Sequence, residues 1–149
     1  MAKVAVVCGS SSDQNYVDSC CEILEKMGLE YEAAVISAHR NPEKIRLFAT
    51  SLREKSFSVV IAMAGMAAHL PGVLASMTTL PVIGVPLPGS ALNGQDALYS
   101  VVQMPAGIPV ATVAIGSAGA KNAAFLAAQI IGLADEKVRQ NYENYRTSL

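Results

Sequence analysis

His39 and His69 are the two histidines of the 149-residue chain, and His39 stands directly before Arg40 in the segment Ser-Ala-His-Arg that begins at Ser37. An imidazole can exchange a proton near neutral pH, and a guanidinium can bind phosphate through two parallel hydrogen bonds. The segment therefore predicts acid–base chemistry on a phosphorylated substrate. A solvated pair of loop residues is the alternative interpretation.

A second polar segment, Gly-Ser-Ser-Ser-Asp over residues 9–13, precedes a predicted helix. The free N–H groups of a helix N-terminus, together with the hydroxyls of Ser10 and Ser12, suit an anion such as phosphate. Asp13 only accepts hydrogen bonds when ionised, which suits sugar hydroxyls. Helix capping by Ser12 or Asp13 is the structural alternative. The glycine motifs of dinucleotide and triphosphate sites are absent from the sequence, so we do not expect those ligands.

The third segment, residues 65–72, is small and apolar around His69. Small residues such as Gly65 allow a ligand to approach the backbone N–H groups closely. Taken alone, His69 fits a structural histidine as well as a catalytic one. No acidic or cysteine ligand stands near either histidine by motif, so we expect no metal site. A G-x-S-x-G nucleophile motif is also absent from the sequence.

The elements that must position these residues alternate between strand and helix. Apolar runs predict five strands over residues 3–8, 31–36, 58–62, 81–85 and 110–115. Helical periodicity and end signals predict helices over 13–27, 42–55, 67–77, 96–102, 118–133 and 135–146. The alternation implies a single α/β domain over residues 1–149, with helices on both faces of a five-stranded parallel sheet. This pattern fits the flavodoxin-like order 2-1-3-4-5, a three-layer αβα arrangement followed by C-terminal helices.

This topology brings the three polar segments together. In open α/β sheets, ligands bind beyond the carboxyl ends of the strands, where the direction of winding changes. With the order 2-1-3, the loops after strands 1, 2 and 3 are neighbours at that edge. We therefore expect both histidines to belong to one site.

Charge is scarce in this sequence. Lys plus Arg number 11 and Asp plus Glu number 12, so the formal net charge is −1, and no basic cluster predicts nucleic-acid binding. Asp96 is the one formal charge between Ser56 and Ala120. Repeated Pro and Gly divide that stretch into pieces too short for a membrane helix, which needs about 20 apolar residues.

The surplus of apolar residues predicts a homo-oligomer, with a well-packed monomer as the alternative. We also expect the last helix, over about residues 134–149, to pack on a neighbouring subunit.

Cysteine content and the start of the chain bear on location. Cys8, Cys20 and Cys21 cannot all pair, and two of them are adjacent, so we expect reduced thiols in a cytoplasmic protein. Residues 1–4 lead directly into a strand-like segment, without the order of regions found in a signal peptide.

Taken together and in order, these segments resemble the N5-carboxyaminoimidazole ribonucleotide mutases of purine biosynthesis. Each piece is weak alone, but the resemblance spans nearly the whole chain. The matching segments are residues 9–13, 37–40, 67–72, 98–105, 107–110 and 122–124.

The resemblance implies an isomerase that moves a carboxylate from the exocyclic nitrogen of an aminoimidazole ribonucleotide to ring carbon C4, through trapped CO2. It implies a homo-octamer with sites at subunit contacts and no metal or organic cofactor. His39 matches the proton-transfer residue, and His69 is a second catalytic candidate. Ser10, Asp13 and Arg40 match substrate-binding positions; Ser12, Ser37 and Arg40 are candidates for phosphate, and Asp13 for ribose. The loop containing Gly65, Ala68 and Leu70 would hold the carboxylate or CO2.

Two positions depart from the family pattern, because Met63 and Met66 stand where glycines are expected. A methionine would be strained there if the backbone has a positive φ. Two other functions compete with the mutase: another sugar-phosphate isomerase or lyase on this fold, and a non-catalytic nucleotide- or flavin-binding module. The absence of Trp from the chain disfavours flavin.

Overall fold

A computed structural model describes residues 2–149 of the chain. Five strands form one sheet with every neighbouring pair parallel, in the order β2-β1-β3-β4-β5, as the sequence predicted. The strands are β1 (Lys3–Cys8), β2 (Glu30–Val35), β3 (Phe57–Gly65), β4 (Val82–Leu87) and β5 (Ala111–Thr112). The helices are α1 (Gln14–Lys26), α2 (Pro42–Ser51), α3 (Leu70–Met77), α4 (Gln95–Val102), α5 (Ser117–Gly132) and α6 (Glu136–Thr147).

Alternate residues of the central strands point to two separate apolar cores, one on each face of the sheet. On one face, Val6 and Ile61 pack with the buried sides of α1 and α5. On the other face, Val7 and Val60 pack with α2, α3 and α4. This arrangement confirms the predicted three-layer α/β fold, and the strands covered on both faces account for the near absence of charge in their sequences.

Strand lengths differ from the prediction where pairing decides them. β3 continues to Gly65 because Met63 pairs with Cys8 of β1 and Gly65 pairs with Leu87 of β4. β5 is shorter than predicted, with ladder pairs at Ala111 and Thr112 alone. It is an edge strand, and it lies next to the part of β4 where Pro86 has no N–H to donate. The prediction for residues 110–115 was therefore too long.

α5 is rich in alanine and other apolar residues, but it is not buried all round. Its small residues, such as Ala123 and Ala127, are fully buried, whereas Lys121, Asn122 and Gln129 are exposed. The helix packs one face on α1 and the sheet, and part of the rest on α6. Alanine permits the close approach, and the polar residues occupy the side that faces solvent.

α6 packs on its own chain. Val138 is buried in the same core as α1 and α5, and the Phe125 and Tyr145 rings stack with centroids 4.6 Å apart. The Asn141 Nδ2 donates a hydrogen bond to the carbonyl oxygen of Met27 at the end of α1. Contact of residues 134–149 with a neighbouring subunit stays a prediction. No helix among residues 2–149 is both long and apolar enough to cross a membrane.

Candidate active site

The register of the sheet brings the predicted loops to one edge. Cys8, the last residue of β1, pairs with Val35 at the end of β2 and with Met63 near the end of β3. The Ile36 N–H extends this pairing by donating to the Cys8 carbonyl at 2.9 Å. The loops that follow these three strands therefore begin side by side, with the β1 loop in the middle.

A cavity of about 570 Å³ lies at this edge. Nine of the ten predicted site residues line it: Ser10, Ser12, Asp13, Ser37, His39, Arg40, Gly65, His69 and Leu70. Ala68 does not line the cavity, because its side chain is 1 % exposed and belongs to the core under α3.

Sequence reasoning missed part of the cavity wall. Pro88 and Gly89 line it from the loop after β4. Because β4 is the neighbour of β3 and ends in register with it, the predicted strand order already implied that this loop reaches the same edge.

The two histidine rings meet across the end of β1. His39 Nε2 and His69 Nδ1 are 2.8 Å apart, within hydrogen-bond distance, and the rings stand edge-on at 83° with centroids 4.9 Å apart. One nitrogen must donate and the other accept, so at most one ring can carry two protons while this bond is kept. Both residues are exposed to solvent from the cavity side. The hydrogen bond therefore joins the two rings at the cavity surface.

Local hydrogen bonds explain how the β2 loop presents His39 and Arg40. The Ser37 hydroxyl accepts a hydrogen bond from the Arg40 N–H, and the Ser37 carbonyl accepts one from the Asn41 N–H. Asn41 then caps α2, accepting from the Lys44 N–H with Pro42 as the first helical residue, as the sequence predicted. This tight turn directs Arg40 to the cavity, and the Arg40 side chain is exposed.

The β1 loop forms a single 3-10 turn over Ser11–Asp13 before α1 begins. The Ser10 hydroxyl caps this turn by accepting from the Ser12 N–H, and it also lies 2.9 Å from the Ser12 hydroxyl. Asp13 is the N-cap residue of α1, as the structural alternative expected, but its carboxylate makes no capping hydrogen bond, and the Ser10 hydroxyl caps the preceding 3-10 turn.

Partial burial changes the acidity of Asp13 in this loop and of Cys8 at the end of β1. It raises the pKa of the Asp13 carboxyl above its ordinary value, against a smaller lowering by the Ser10 backbone. Burial, and secondly the negative charge of Asp13, raise the pKa of the Cys8 thiol. A thiol with a raised pKa is a poor nucleophile, so Cys8 is not a candidate for covalent chemistry here. All three cysteines are free and buried.

His69 stands at the start of α3, where the Val73 N–H donates to its carbonyl. Met63 lies within β3 and is fully buried in the α1–α5 core, so it fills space there without strain from a positive φ. Met66 does have a positive φ, of 55°. The positive φ on which the expectation of strain depends is therefore present at Met66 and absent at Met63.

Comparison with known proteins identifies the family. The sequence matches the family model described as AIR carboxylase over residues 3–149. The chain belongs to the AIR carboxylase family. Its site at the edge of the sheet is therefore the candidate active site of an enzyme of that family.

Relatives of this AIR carboxylase family member agree with the assignment. This chain is 56% identical to the N5-carboxyaminoimidazole ribonucleotide mutase of Saccharolobus solfataricus over 133 residues. The aligned region covers 89% of this chain and 83% of the relative. The chain is 50% identical over 145 residues to the mutase of Escherichia coli K12, covering 97% and 86%. The crystal structure of Treponema denticola PurE superposes with a TM-score of 0.89 at 29% identity, covering 99% of this chain and 91% of that one. The resemblance in sequence motifs and the flavodoxin-like fold are both confirmed.

Metal ligands are sparse around the site. Within the part of the chain that the structure describes, no three His, Cys, Asp or Glu side chains are grouped as they would be to hold a metal ion. The basic side chains that line the cavity are those of Arg40, His39 and His69.

Proposed function

We propose that this protein catalyses the reaction for which its relatives are named, within purine biosynthesis. In this reaction N5-carboxyaminoimidazole ribonucleotide becomes 4-carboxyaminoimidazole ribonucleotide, with no change in overall composition. The observation that carries the proposal is the hydrogen-bonded pair of His39 and His69 in a cavity lined by Ser12, Ser37 and Arg40.

The phosphate and ribose of the substrate bind to the loops after β1 and β2. Arg40 and the hydroxyls of Ser12 and Ser37 hold the phosphate, because a guanidinium offers two parallel donors and hydroxyls add more. Asp13 accepts hydrogen bonds from the ribose, and Ser10 supports the turn that carries it.

The proton passes through His39. The carbamate N–C bond breaks, its electron pair stays on the exocyclic nitrogen, and His39 gives that nitrogen a proton while CO2 departs. Ring carbon C4 then attacks CO2, and His39 takes the C4 proton as the new C–C bond is completed. One proton is given and one is regained, so the enzyme returns to its starting state without a co-reactant.

His69 and the residues around it serve the carboxylate end. The hydrogen bond between His69 Nδ1 and His39 Nε2 holds the His39 ring in one orientation and one protonation pattern. His69 is therefore a positioning residue for His39. The backbone from Gly65 to Leu70 holds the carboxylate and then CO2. The buried side chain of Ala68 leaves only its backbone for this purpose.

A homo-oligomer completes the proposal. Tyr99 and Val102 on α4 are 63% and 45% exposed, they lie one helical turn apart, and they belong to the charge-poor stretch. Exposed apolar side chains of this kind mark contact surfaces. We propose that eight copies form the assembly, that it works in the cytoplasm, and that it needs neither a metal nor an organic cofactor.

The decisive experiment supplies the purified protein with substrate labelled with ¹³C at the carboxylate, in the presence of a chelator and without ATP. The label is expected at the C4 carboxylate of the product by NMR, faster than in buffer alone. Absence of catalysed transfer, with a folded protein, would refute the mutase. Turnover only after addition of a divalent metal would refute the cofactor-independent scheme.

A further inference from the structure

Among residues 2–149, three residues other than glycine have a positive φ: Ser56 at 63°, Met66 at 55° and Asn93 at 54°. Asparagine adopts this conformation with little penalty. Ser56 and Met66 flank β3, one directly before it and one directly after it. Met66 is the one of the three with a long apolar side chain, so its backbone conformation is the hardest to explain.

Burial does not explain Met66. Its side chain is 67% exposed, whereas Met63, three residues earlier, is fully buried. Methionine is a flexible apolar residue that normally fills gaps in cores. At position 66 the methionine side chain gains little stabilisation from packing, and the positive φ is unfavourable for a residue with a Cβ. Strained residues that persist in this way concentrate at functional sites.

The position of Met66 points to a use. It lines the cavity next to Gly65 and Ala67, in the loop that leads to His69. The proposed reaction requires this end of the cavity to hold CO2, a small apolar molecule, away from water until C4 attacks it. A long thioether side chain at the mouth of such a cavity can cover it without a hydrogen bond or a charge.

We infer that the Met66 side chain covers the carboxylate end of the cavity and retains CO2 between the two halves of the reaction. This inference rests on the proposed function. Met66 takes no part in bond making or proton transfer. It sets the fraction of CO2 that is transferred to C4 rather than lost, so it is a specificity-determining residue.

Substitution by glycine separates strain from function. Met66→Gly removes the cover and relieves the backbone, so the variant should unfold at a higher temperature and yet lose more CO2. Ser56→Gly is the matched control, because it relieves a similar φ at the other end of β3, away from the cavity. It should raise stability without changing CO2 loss. Met66→Leu restores apolar bulk and should restore retention relative to glycine.

The readout is turnover of unlabelled substrate in buffer containing ¹³C-bicarbonate and carbonic anhydrase. We measure two quantities: the fraction of product that carries ¹³C, and the amount of free aminoimidazole ribonucleotide that accumulates. Met66→Gly should increase the ratio of lost to transferred CO2 roughly tenfold over wild type, equivalent to about 1.4 kcal/mol in the partition. Equal ratios in wild type and Met66→Gly, with wild-type turnover intact, would overturn this inference alone. No product from wild type would overturn the proposed function, and this inference with it.

Discussion

His39 and His69 are 30 residues apart in the chain, and the fold brings His39 Nε2 to 2.8 Å from His69 Nδ1. The contact exists because β2 and β3 flank β1 and end close to its last residue, Cys8. Each ring comes from the loop after one flanking strand. The hydrogen bond therefore depends on the strand order as much as on the two residues.

Replacement of the two histidines should separate their roles. His39→Asn should lower kcat by about 10²- to 10⁴-fold, the usual contribution of a general acid–base group. His69→Phe removes the hydrogen bond to His39, so it should lower kcat less, with little change in KM and in the unfolding temperature. Steady-state kinetics and thermal unfolding of each variant provide the measurement. Equal activity of His39→Asn and wild type would contradict the proton-transfer role.

Arg40 should contribute to substrate affinity more than to the chemical step. Arg40→Gln is expected to raise KM roughly 10- to 100-fold, the effect of losing charge-assisted hydrogen bonds of about 1.5–3 kcal/mol. Arg53→Gln is the matched control, because Arg53 lies outside the cavity wall and donates a hydrogen bond to Thr79. Inorganic phosphate should compete with substrate for wild type but weakly for Arg40→Gln. A similar KM in the two variants would argue against phosphate binding by Arg40.

The raised pKa of Asp13 predicts a pH-dependent effect on stability. The folded protein binds the Asp13 proton more tightly than the unfolded chain does, so the ionised carboxylate destabilises the fold at neutral pH. Asp13→Asn should therefore be more stable than wild type at pH 7. The difference should shrink as the pH falls through the folded-state pKa toward the ordinary value of 3.8.

Urea unfolding at several pH values tests this prediction. Asp18→Asn, on the exposed side of α1, serves as the control and should change stability little. The same Asp13→Asn variant should bind substrate more weakly if the carboxylate accepts the ribose hydroxyls. Lower stability of Asp13→Asn at pH 7 would contradict the sign of this effect.

Gly119 should not tolerate any side chain. A Cβ at this position would lie 1.6 Å from the carbonyl oxygen of Ala114, a backbone atom that cannot rotate away. Gly119→Ala is expected to destabilise the fold by about 3 kcal/mol or more, beyond ordinary overpacking. Gly9→Ala is the control for stability, since a Cβ added there would have no other atom within 4 Å. Equal urea midpoints for the two variants would contradict the close approach of α5 to the segment after β5.

The apolar surface of α4 should hold subunits together. Tyr99→Asp combined with Val102→Asp should reduce the molecular mass measured by light scattering, because two charges would be buried at the contact. Leu133→Asp is the control, at an exposed leucine outside the charge-poor stretch. A monomeric wild-type protein would contradict the homo-oligomer directly.

The sequence alone determined the type and order of the elements, because apolar runs, helical periodicity and turn residues are local. It also determined that polar residues follow β1, β2 and β3, and the usual winding of such sheets then placed them at one edge. Only the tertiary structure decided what depends on distant partners. Pairing with β1 and β4 extended β3 to Gly65, and the missing donor of Pro86 limited β5. The same long-range pairing set the contact between His39 and His69, and the positive φ of Met66 was visible only in the structure, because residue type and spacing specify neither.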